Sequence, residues 1–355
     1  MVELNKIYNE DCLTFLKQMP DQYVECCITS PPYFGLRDYG MAGQIGLEET
    51  PEAYVEKMVA VFREVRRVLN DDGTLWLNLG DSYAGSGGAG NQFGQLEAGL
   101  AKYKQASRPK EMGLKPKDLI GIPWMVAFAL RADGWYLRQD IIWAKPNPMP
   151  ESVTDRCTKA HEYIFLMSKS ARYYYDADAI KQPVVDATVL RLAQQIEKQK
   201  GSERVPGKTN GNMKAVGPGR KPRPDDSRGG NQGSERGIPA MAIDGNGVKN
   251  HSGYFDSCGN LIGEGMANKK SVWVVPTMPF SEAHFATFPE DLIVPCIKAG
   301  CPEGGTVLDP FMGAGTTALV AHKLNRNYIG TELNPEYCQI AEKRILPYKL
   351  QQKLF

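Results

Sequence analysis

The sequence predicts an α/β fold, in which a mostly parallel sheet carries helices on both faces. Strand and helix patterns alternate through the first half of the chain, and the alternation resumes between residues 271 and 355. A glycine-rich turn, residues 310–315, joins one of the later strands to the helix that follows it. Alternation of this kind is typical of βαβ units, whose strands lie parallel with their carboxyl ends at one edge of the sheet.

The first half contains strong start and stop signals. A strand at Val24–Thr29 stops at a pair of prolines, and a helix begins at Pro51 with Thr50 as its cap. Apolar residues then recur at helical spacing as far as Leu69. Further along, the patterns predict a strand at 74–79, a helix at 119–132 and strands at 139–143 and 163–167.

Composition divides the chain into three parts, 1–183, 184–270 and 271–355. The middle part is rich in glycine and proline. Residues 198–236 include ten Lys or Arg and four Asp or Glu, an excess of six positive charges. Such a segment buries little apolar surface, so we expect it to be partly flexible. Order is expected to return near 271–275, and the last part is then predicted as helix 288–299, strand 306–308, helix 316–324, strand 328–331 and helix 335–344.

The glycine-rich turn has the features of a ligand site. Gly313 and Gly315 let the backbone pass close to a bound molecule. Glu332 follows the next strand, 23 positions after Asp309, where an acid commonly accepts hydrogen bonds from a ribose diol. A dinucleotide is disfavoured, because Ala318 replaces the third glycine and Asp309 would repel a pyrophosphate. An acid there suits a cofactor with a cationic group, such as the methionine ammonium of S-adenosylmethionine.

A second turn, Ser30-Pro31-Pro32-Tyr33, directly follows a strand, where ligands bind in sheets of this kind. Its two prolines fix the backbone and remove two N–H donors. What remains is a rigid turn of carbonyl oxygens, a hydroxyl and an aromatic ring. Such a turn can accept hydrogen bonds from an amino group and stack a planar ring on Tyr33, although alone it could equally be an ordinary rigid turn.

Together, Ser30-Pro31-Pro32-Tyr33 and Asp309-Pro310-Phe311-Met312-Gly313-Ala314-Gly315-Thr316-Thr317 resemble the amino-methyltransferases that make N4-methylcytosine and N6-methyladenine in DNA. The catalytic motif comes first and the cofactor motif last, which resembles the permuted β group of that family. The likeness covers roughly residues 1–183 and 271–355. It implies a Rossmann-like, circularly permuted S-adenosylmethionine-dependent methyltransferase fold with a target-recognition region inserted at 184–270.

The resemblance assigns roles to individual residues. The catalytic set is Ser30, Pro31, Pro32 and Tyr33. The cofactor set is Asp11, Phe288, Pro289, Asp309, Phe311, Gly313, Gly315, Thr316, Glu332 and Asn334. Trp143 and Lys145 are expected at the pocket for the target base, although an aromatic residue at such a place is as often core as contact. No metal is implied.

The resemblance also places DNA recognition in the basic segment. The residues expected to bind the phosphates of double-stranded DNA, and so to make binding salt-dependent, are Lys208, Arg220, Lys221, Arg223 and Arg228. A solvated linker would have the same composition. A loop at 84–110, which also carries lysine and arginine, is a second segment that could close over the DNA.

The reaction that the resemblance implies needs no cysteine nucleophile. The Ser30 hydroxyl and the Pro31 carbonyl are expected to accept the hydrogens of the amino group while the methyl passes to nitrogen in one in-line displacement. Because the target atom lies inside a duplex, the base is expected to flip out and stack on Tyr33. In this family a leading serine tends to mark cytosine and a leading aspartate adenine. Cytosine N4 is therefore favoured, and adenine N6 stays the alternative.

Composition excludes some other classes. No run of 18 apolar residues predicts a membrane span, no secretory signal opens the chain, and the eight cysteines form no Cys-x-x-Cys pair. We expect a cytoplasmic monomer or homodimer, and a cognate restriction endonuclease is a possible partner. The remaining alternatives are a methyltransferase of RNA or protein amide nitrogen, a non-catalytic DNA-binding subunit and, least supported, a nicotinamide dehydrogenase.

Overall fold

The computed structural model describes residues 2–84, 113–183, 266–278 and 287–352. In chain order the elements are β1 Lys6–Tyr8, α1 Cys12–Gln18, β2 Val24–Thr29, α2 Pro51–Val68, β3 Leu69–Leu79, α3 Ile122–Ala132, β4 Tyr136–Ala144, β5 His161–Ser168, a 3-10 turn Asp178–Ile180, β6 Gln182–Pro183, β7 Met266–Ala267, β8 Val272–Val274, α4 Glu290–Gly300, β9 Thr306–Asp309, α5 Thr316–Lys323, β10 Asn327–Thr331 and α6 Pro335–Gln352.

The chain separates into two compact units. One comprises Met1–Ile180 with Lys269–Phe355, and the other is Lys181–Asn268. The three-part division by composition stays a prediction. Within the second unit the described residues are few, and β6 pairs with β7 in antiparallel orientation. That this unit recognises DNA stays a prediction.

Eight strands of the first unit form one sheet, in the order β1-β10-β9-β2-β3-β5-β4-β8. All neighbouring strands are parallel except that β5 runs antiparallel to both β3 and β4. The prediction of a mostly parallel sheet with helices on both faces is confirmed. The carboxyl ends of β2, β3, β9 and β10 therefore share one edge with the first residues of β5, and several of the candidate site residues lie there.

Helices cover both faces of the sheet. Side chains that alternate along β2 and β3 point to opposite faces. Cys27 and Leu75 join a core with α1, α2 and α3, whereas Cys26 and Trp76 join a core with α4, α5 and α6. Full burial of each large apolar side chain contributes about 1.5–3 kcal/mol, so these two layers hold the strand ends in fixed positions.

Helix α2 shows why its bounds are predictable from sequence. The Thr50 hydroxyl accepts a hydrogen bond from the Ala53 amide at 3.1 Å, and Pro51 occupies the first turn. The expected turn at 70–73, however, is a bulge inside β3. Val24 pairs with Leu69 before the bulge and Cys26 pairs with Thr74 after it, so the strand begins five residues earlier than expected.

Several elements differ from the sequence expectation. Neither β1 nor α1 is predicted, because each is too short for its periodicity to be read. Helix α6 continues past the expected end at 344, through Pro347, to Gln352.

No helix within the described ranges is long and apolar enough to cross a membrane. No three His, Cys, Asp or Glu side chains in those ranges gather as a metal site.

Candidate active site

The turn Ser30-Pro31-Pro32-Tyr33 follows β2, and a hydrogen bond from helix α2 fixes its position. The hydroxyl of Tyr54, which is buried, donates a hydrogen bond to the Pro32 carbonyl at 2.9 Å. Ser30 donates from its Oγ to the Tyr33 hydroxyl at 3.3 Å. Among the described residues, none donates a hydrogen bond to the Pro31 carbonyl. The Ser30 hydroxyl and the Pro31 carbonyl are therefore the acceptors that this turn can offer to a ligand.

The ring of Tyr33 is fixed by polar groups at neighbouring strand ends. Its hydroxyl donates to Glu162 Oε2 at 2.7 Å and lies 3.2 Å from Asn78 Oδ1. Burial, followed by the charge of Glu162, raises the pKa of Tyr33, so the phenol stays neutral. Gly80 leaves room for the ring, since a Cβ at that position would lie 2.6 Å from Tyr33 Cε2.

Asp309 ties the two predicted turns together. Its Oδ1 accepts a hydrogen bond from the Thr29 hydroxyl at 2.6 Å, and its Oδ2 accepts one from the Thr317 hydroxyl at 2.6 Å. The amide of Phe311 donates to Oδ1 at 3.0 Å. Asp309 is 1% exposed, and burial raises its pKa to about 6 although all three hydrogen bonds lower it. The ends of β2 and β9 are thus joined directly.

Glu332 is bound to the glycine-rich turn. Its Oε2 accepts a hydrogen bond from the Gly313 amide at 2.8 Å, and its Oε1 accepts one from the Asn334 amide at 2.8 Å. Gly313 has a φ of +52°, which favours glycine. Burial raises the pKa of Glu332. Because each carboxylate oxygen can accept a second hydrogen bond, Glu332 can still bind the two hydroxyls of a diol.

Two further predicted cofactor residues act as helix caps. Asp11 Oδ1 accepts hydrogen bonds from the amide and the hydroxyl of Thr14, at 2.9 and 2.8 Å, and so caps α1. Asn334 Oδ1 accepts from the Glu336 amide at 2.9 Å, at the start of α6. Both caps fix a carboxylate or an amide at the edge of the sheet, where it can also face a ligand.

A single cavity extends between the catalytic turn and the glycine-rich turn. The predicted residues that line it are Asp11, Ser30, Pro31, Pro32, Tyr33, Phe288, Asp309, Phe311, Gly313, Thr316, Glu332 and Asn334. Gly315 and Pro289 do not line it. Gly315 instead packs against α6, since a Cβ there would lie 2.7 Å from Ala341 Cβ, and Pro289 is buried at the start of α4.

One wall of the cavity is absent from the sequence prediction. Residues of the loop 36–45 line it, and Arg37 is the one basic side chain among the described lining residues. Gln44 folds this loop by accepting from the Tyr39 amide at 2.8 Å and donating to the Arg37 carbonyl at 3.2 Å. The loop has no periodic pattern, and its position directly after the catalytic turn is the only signal that could have found it.

The residues expected at the target-base pocket have other contacts. Trp143 is 4% exposed and donates from Nε1 to the Val275 carbonyl at 2.8 Å, so it belongs to the core and its predicted contact with DNA is not supported. Lys145 pairs with Glu162 and lies over the Trp143 ring, 4.2 Å from its centroid, and its expected place at the target-base pocket stays a prediction. Lys208, Arg220, Lys221, Arg223 and Arg228, and the loop residues 85–110, lie outside the described residues.

Comparison with known proteins shows the family of this chain. Residues 24–343 match a family model described as DNA methylase, the model for N6- and N4-methyltransferases. The chain belongs to this DNA amino-methyltransferase family. The Type II methyltransferase M.XycI of Xanthomonas campestris pv. cyanopsidis is 40% identical over 339 residues, covering 96% of this chain and 87% of that protein. M.SmaI of Serratia marcescens is 39% identical over 341 residues, covering 96% and 90%.

Solved structures share the fold. The PvuII DNA methyltransferase, cytosine-N4-specific, has a TM-score of 0.57 and 16% identity, over 97% of this chain and 87% of that one. TTHA0409 of Thermus thermophilus, described as a putative DNA modification methylase and complexed with S-adenosyl-L-methionine, has a TM-score of 0.52 and 19% identity, over 97% and 93%. The methyltransferase fold is therefore confirmed, whereas the permuted order of the chain stays a prediction.

This DNA methyltransferase uses S-adenosylmethionine, and the cavity fits that cofactor. A Cβ at Gly313 would meet no atom within 4 Å, so the turn leaves open space beside Glu332, which can bind a ribose diol. Phe288 and Phe311 add apolar surface to the lining of the cavity, and the expected packing of Phe288 against the methionine part of the cofactor stays a prediction. The buried carboxylate of Asp309 suits the positive charge of the methionine ammonium.

Proposed function

We propose that this enzyme transfers a methyl group to the exocyclic N4 of cytosine in double-stranded DNA. The observation that carries the proposal is that one cavity is lined both by Ser30 and Pro31 and by Gly313 and Glu332. The hydrogen bond of 2.6 Å between Thr29 and Asp309 holds the two strand ends side by side. An amino group bound at the first turn and a cofactor bound at the second can therefore meet.

The catalytic turn provides the chemistry that an amino group needs. An exocyclic amino nitrogen is a poor nucleophile, because its lone pair is delocalised into the ring. The Ser30 hydroxyl and the Pro31 carbonyl accept hydrogen bonds from its two N–H groups and free the lone pair for attack, and the methylated nitrogen then loses one proton to solvent. When bound, S-adenosylmethionine supplies the electrophilic methyl group. Tyr33 holds the ring of the flipped base, and positioning accounts for much of the acceleration.

Serine at position 30 favours cytosine over adenine. In the family that the sequence resembles, a leading serine tends to mark N4 of cytosine, whereas a leading aspartate tends to mark N6 of adenine. The proposal includes recognition of a specific site by the basic segment between 184 and 270, through Lys208, Arg220, Lys221, Arg223 and Arg228. It also includes a cytoplasmic location, a monomer or homodimer, and a cognate restriction endonuclease.

Mass spectrometry of nucleosides tests the proposal. Unmethylated plasmid DNA is incubated with the enzyme and S-adenosylmethionine and then digested to nucleosides. We expect N4-methyldeoxycytidine, and no N6-methyldeoxyadenosine above the level given by a Ser30→Ala control. N6-methyldeoxyadenosine as the product would contradict the choice of cytosine, and transfer to RNA or protein alone would contradict the choice of DNA. Sequencing of the methylated DNA then gives the recognition site.

Replacement of Gly80 by alanine is expected to impair methyl transfer without impairing cofactor binding. The added Cβ would lie 2.6 Å from Tyr33 Cε2, so the ring must shift. We expect the single-turnover rate to fall about 10-fold or more, because small misplacements of a positioning group cost this much. Gly304→Ala is the control for strain away from Tyr33: a Cβ there meets nothing within 4 Å, but the φ of +76° strains an alanine, so this variant should lose stability and keep the wild-type rate. A Gly80→Ala enzyme with the wild-type rate would show that the position of the ring is unimportant.

A further inference from the structure

The hydroxyl of Tyr33 belongs to a polar network that lies behind the cavity. Glu162 Oε2 accepts from the Tyr33 hydroxyl at 2.7 Å and from Asn78 Nδ2 at 3.3 Å, and the Lys145 ammonium pairs with Glu162 Oε1. Tyr33 lines the cavity, whereas Asn78, Lys145 and Glu162 do not. Of these four residues, Tyr33 is therefore the one that borders the space a bound base would occupy.

The network is rigid because it joins the ends of three strands. Asn78 is the penultimate residue of β3, Lys145 directly follows β4, and Glu162 is the second residue of β5. Asn78 Nδ2 also donates to the Tyr163 carbonyl at 3.1 Å. With strand pairing on both sides of β5, the carboxylate of Glu162 has little freedom to move away from Tyr33.

The ion pair in this network is sheltered from water. The side chains of Lys145 and Glu162 are 18% and 15% exposed, and the ammonium of Lys145 lies 4.2 Å from the centroid of the buried Trp143 ring. A pair of this kind is costly to desolvate, and apolar replacements are often equally stable. Global stability is therefore a weak explanation for it, and a role in orienting Tyr33 is a better one.

We propose that Glu162 is a positioning residue for methyl transfer, which fixes the ring of Tyr33 through the tyrosine hydroxyl, and that Lys145 holds Glu162 in place. This inference depends on the proposed function, because it assumes that Tyr33 stacks on the target base. A phenol that donates to a carboxylate also has a more electron-rich ring. Such a ring attracts the base more strongly as positive charge develops on the amino nitrogen.

A double-mutant cycle tests this role. Glu162→Ala, Tyr33→Phe and the double variant are compared by single-turnover transfer of tritiated methyl groups to unmethylated plasmid DNA. Each single variant is expected to lose about 10- to 100-fold in rate, the range for loss of a hydrogen bond to a charged group. If Glu162 acts only through the hydroxyl of Tyr33, the double variant is no slower than the slower single variant. Losses that multiply would overturn the proposal.

Calorimetry separates positioning from general damage. Glu162 does not line the cavity, so Glu162→Ala should bind S-adenosylmethionine with a Kd within about twofold of wild type. The matched control is Glu151→Ala, which removes another partly buried acid whose partner, Arg156, lies 2.5 Å away between β4 and β5. This control should keep the wild-type rate. An equal loss of rate in Glu151→Ala would show that any charge lost from this segment is harmful, and would overturn the proposal.

A second variant keeps the test decisive if Glu162→Ala fails to fold. Glu162→Gln preserves the shape and an acceptor oxygen for Tyr33 but cannot pair with Lys145. We expect a smaller loss of rate, again absent in the Tyr33→Phe background. Wild-type rates for both Glu162 variants would overturn the proposal. If instead the wild-type enzyme itself transfers no methyl group to DNA, the proposed function fails, which is a distinguishable result.

Discussion

Ser30→Ala is expected to lower the rate of methyl transfer about 100-fold or more while S-adenosylmethionine still binds. The substitution removes one of the two acceptors that the turn offers to the amino group, and loss of one preorganised hydrogen-bonding group at a reacting centre costs about 100- to 1000-fold in kcat. The Ser30 hydroxyl contacts Tyr33 at 3.3 Å and ties no other described residue, so the fold should be unaffected. Single-turnover kinetics and calorimetry measure the two quantities separately.

The control for this prediction is Ser82→Ala. Ser82 follows β3 at the same edge of the sheet but does not line the cavity. Its variant should keep both the rate and the cofactor affinity of the wild type. If Ser30→Ala retains the wild-type rate, the amino group is not held by this hydroxyl. If it loses cofactor affinity as well, Ser30 belongs to the cofactor site and its assignment is wrong.

Asp309→Asn is expected to weaken cofactor binding about 10-fold or more without destabilising the protein at neutral pH. The asparagine can still accept from Thr29 and Phe311, and its amide can donate to the Thr317 hydroxyl. What it loses is a negative charge in a water-excluded place, where attraction to the methionine ammonium is strong. Calorimetry with S-adenosylmethionine at a pH of about 7.5, well above the usual carboxyl range, gives the affinity, and denaturant unfolding gives the stability.

The raised pKa of Asp309 predicts how the stability of Asp309→Asn, relative to wild type, changes with pH. Burial raises the pKa of Asp309 in the folded enzyme to about 6, from an ordinary value of 3.8. Its contribution to stability is thus fully present below pH 3.8 and is lost as pH rises through about 6, by about 3 kcal/mol in total. Relative to wild type, Asp309→Asn should therefore gain stability as pH rises from about 4 to about 6. If the difference in stability between the two proteins does not change over this range, the pKa of Asp309 is not raised by burial.

The cofactor affinity of the wild type should also depend on the protonation of Asp309, but it should fall as pH falls. As pH falls through about 6, Asp309 takes up a proton and the wild-type enzyme should bind S-adenosylmethionine more weakly. Asp309→Asn should show no such change in affinity over this range. An affinity that falls equally in both proteins would assign the titration to another residue of the cavity, such as Glu332.

The local chemistry of the two turns is readable from sequence. Pro31 and Pro32 after an apolar strand, and Gly313 and Gly315 after another, predict rigid ligand-binding turns because those residue types restrict or free the backbone in known ways. The same reasoning predicts α2 from Thr50 and its apolar spacing. These features depend on neighbours within a few positions, which a single sequence contains.

What the sequence could not show are contacts between distant positions. Thr29 and Asp309 are 280 residues apart, yet their hydrogen bond joins the two halves of the site. Glu162 lies at the first residues of an apolar strand, and nothing local marks it as the partner of Tyr33. Trp143 and Lys145 are the reverse case, in which a local motif predicts a contact and distant residues provide different ones. A motif places them near DNA, but packing against β8 and pairing with Glu162 occupy them.

A crystal structure of the enzyme with bound S-adenosylmethionine tests the central claim most directly, because that claim is that the two turns form one site. The ribose should contact Glu332, the methionine should pass the Gly313 turn, and the sulfonium methyl should face the space beside Ser30 and Pro31. A cofactor bound outside this cavity, or bound within it with the methyl group directed away from Ser30, would contradict the account.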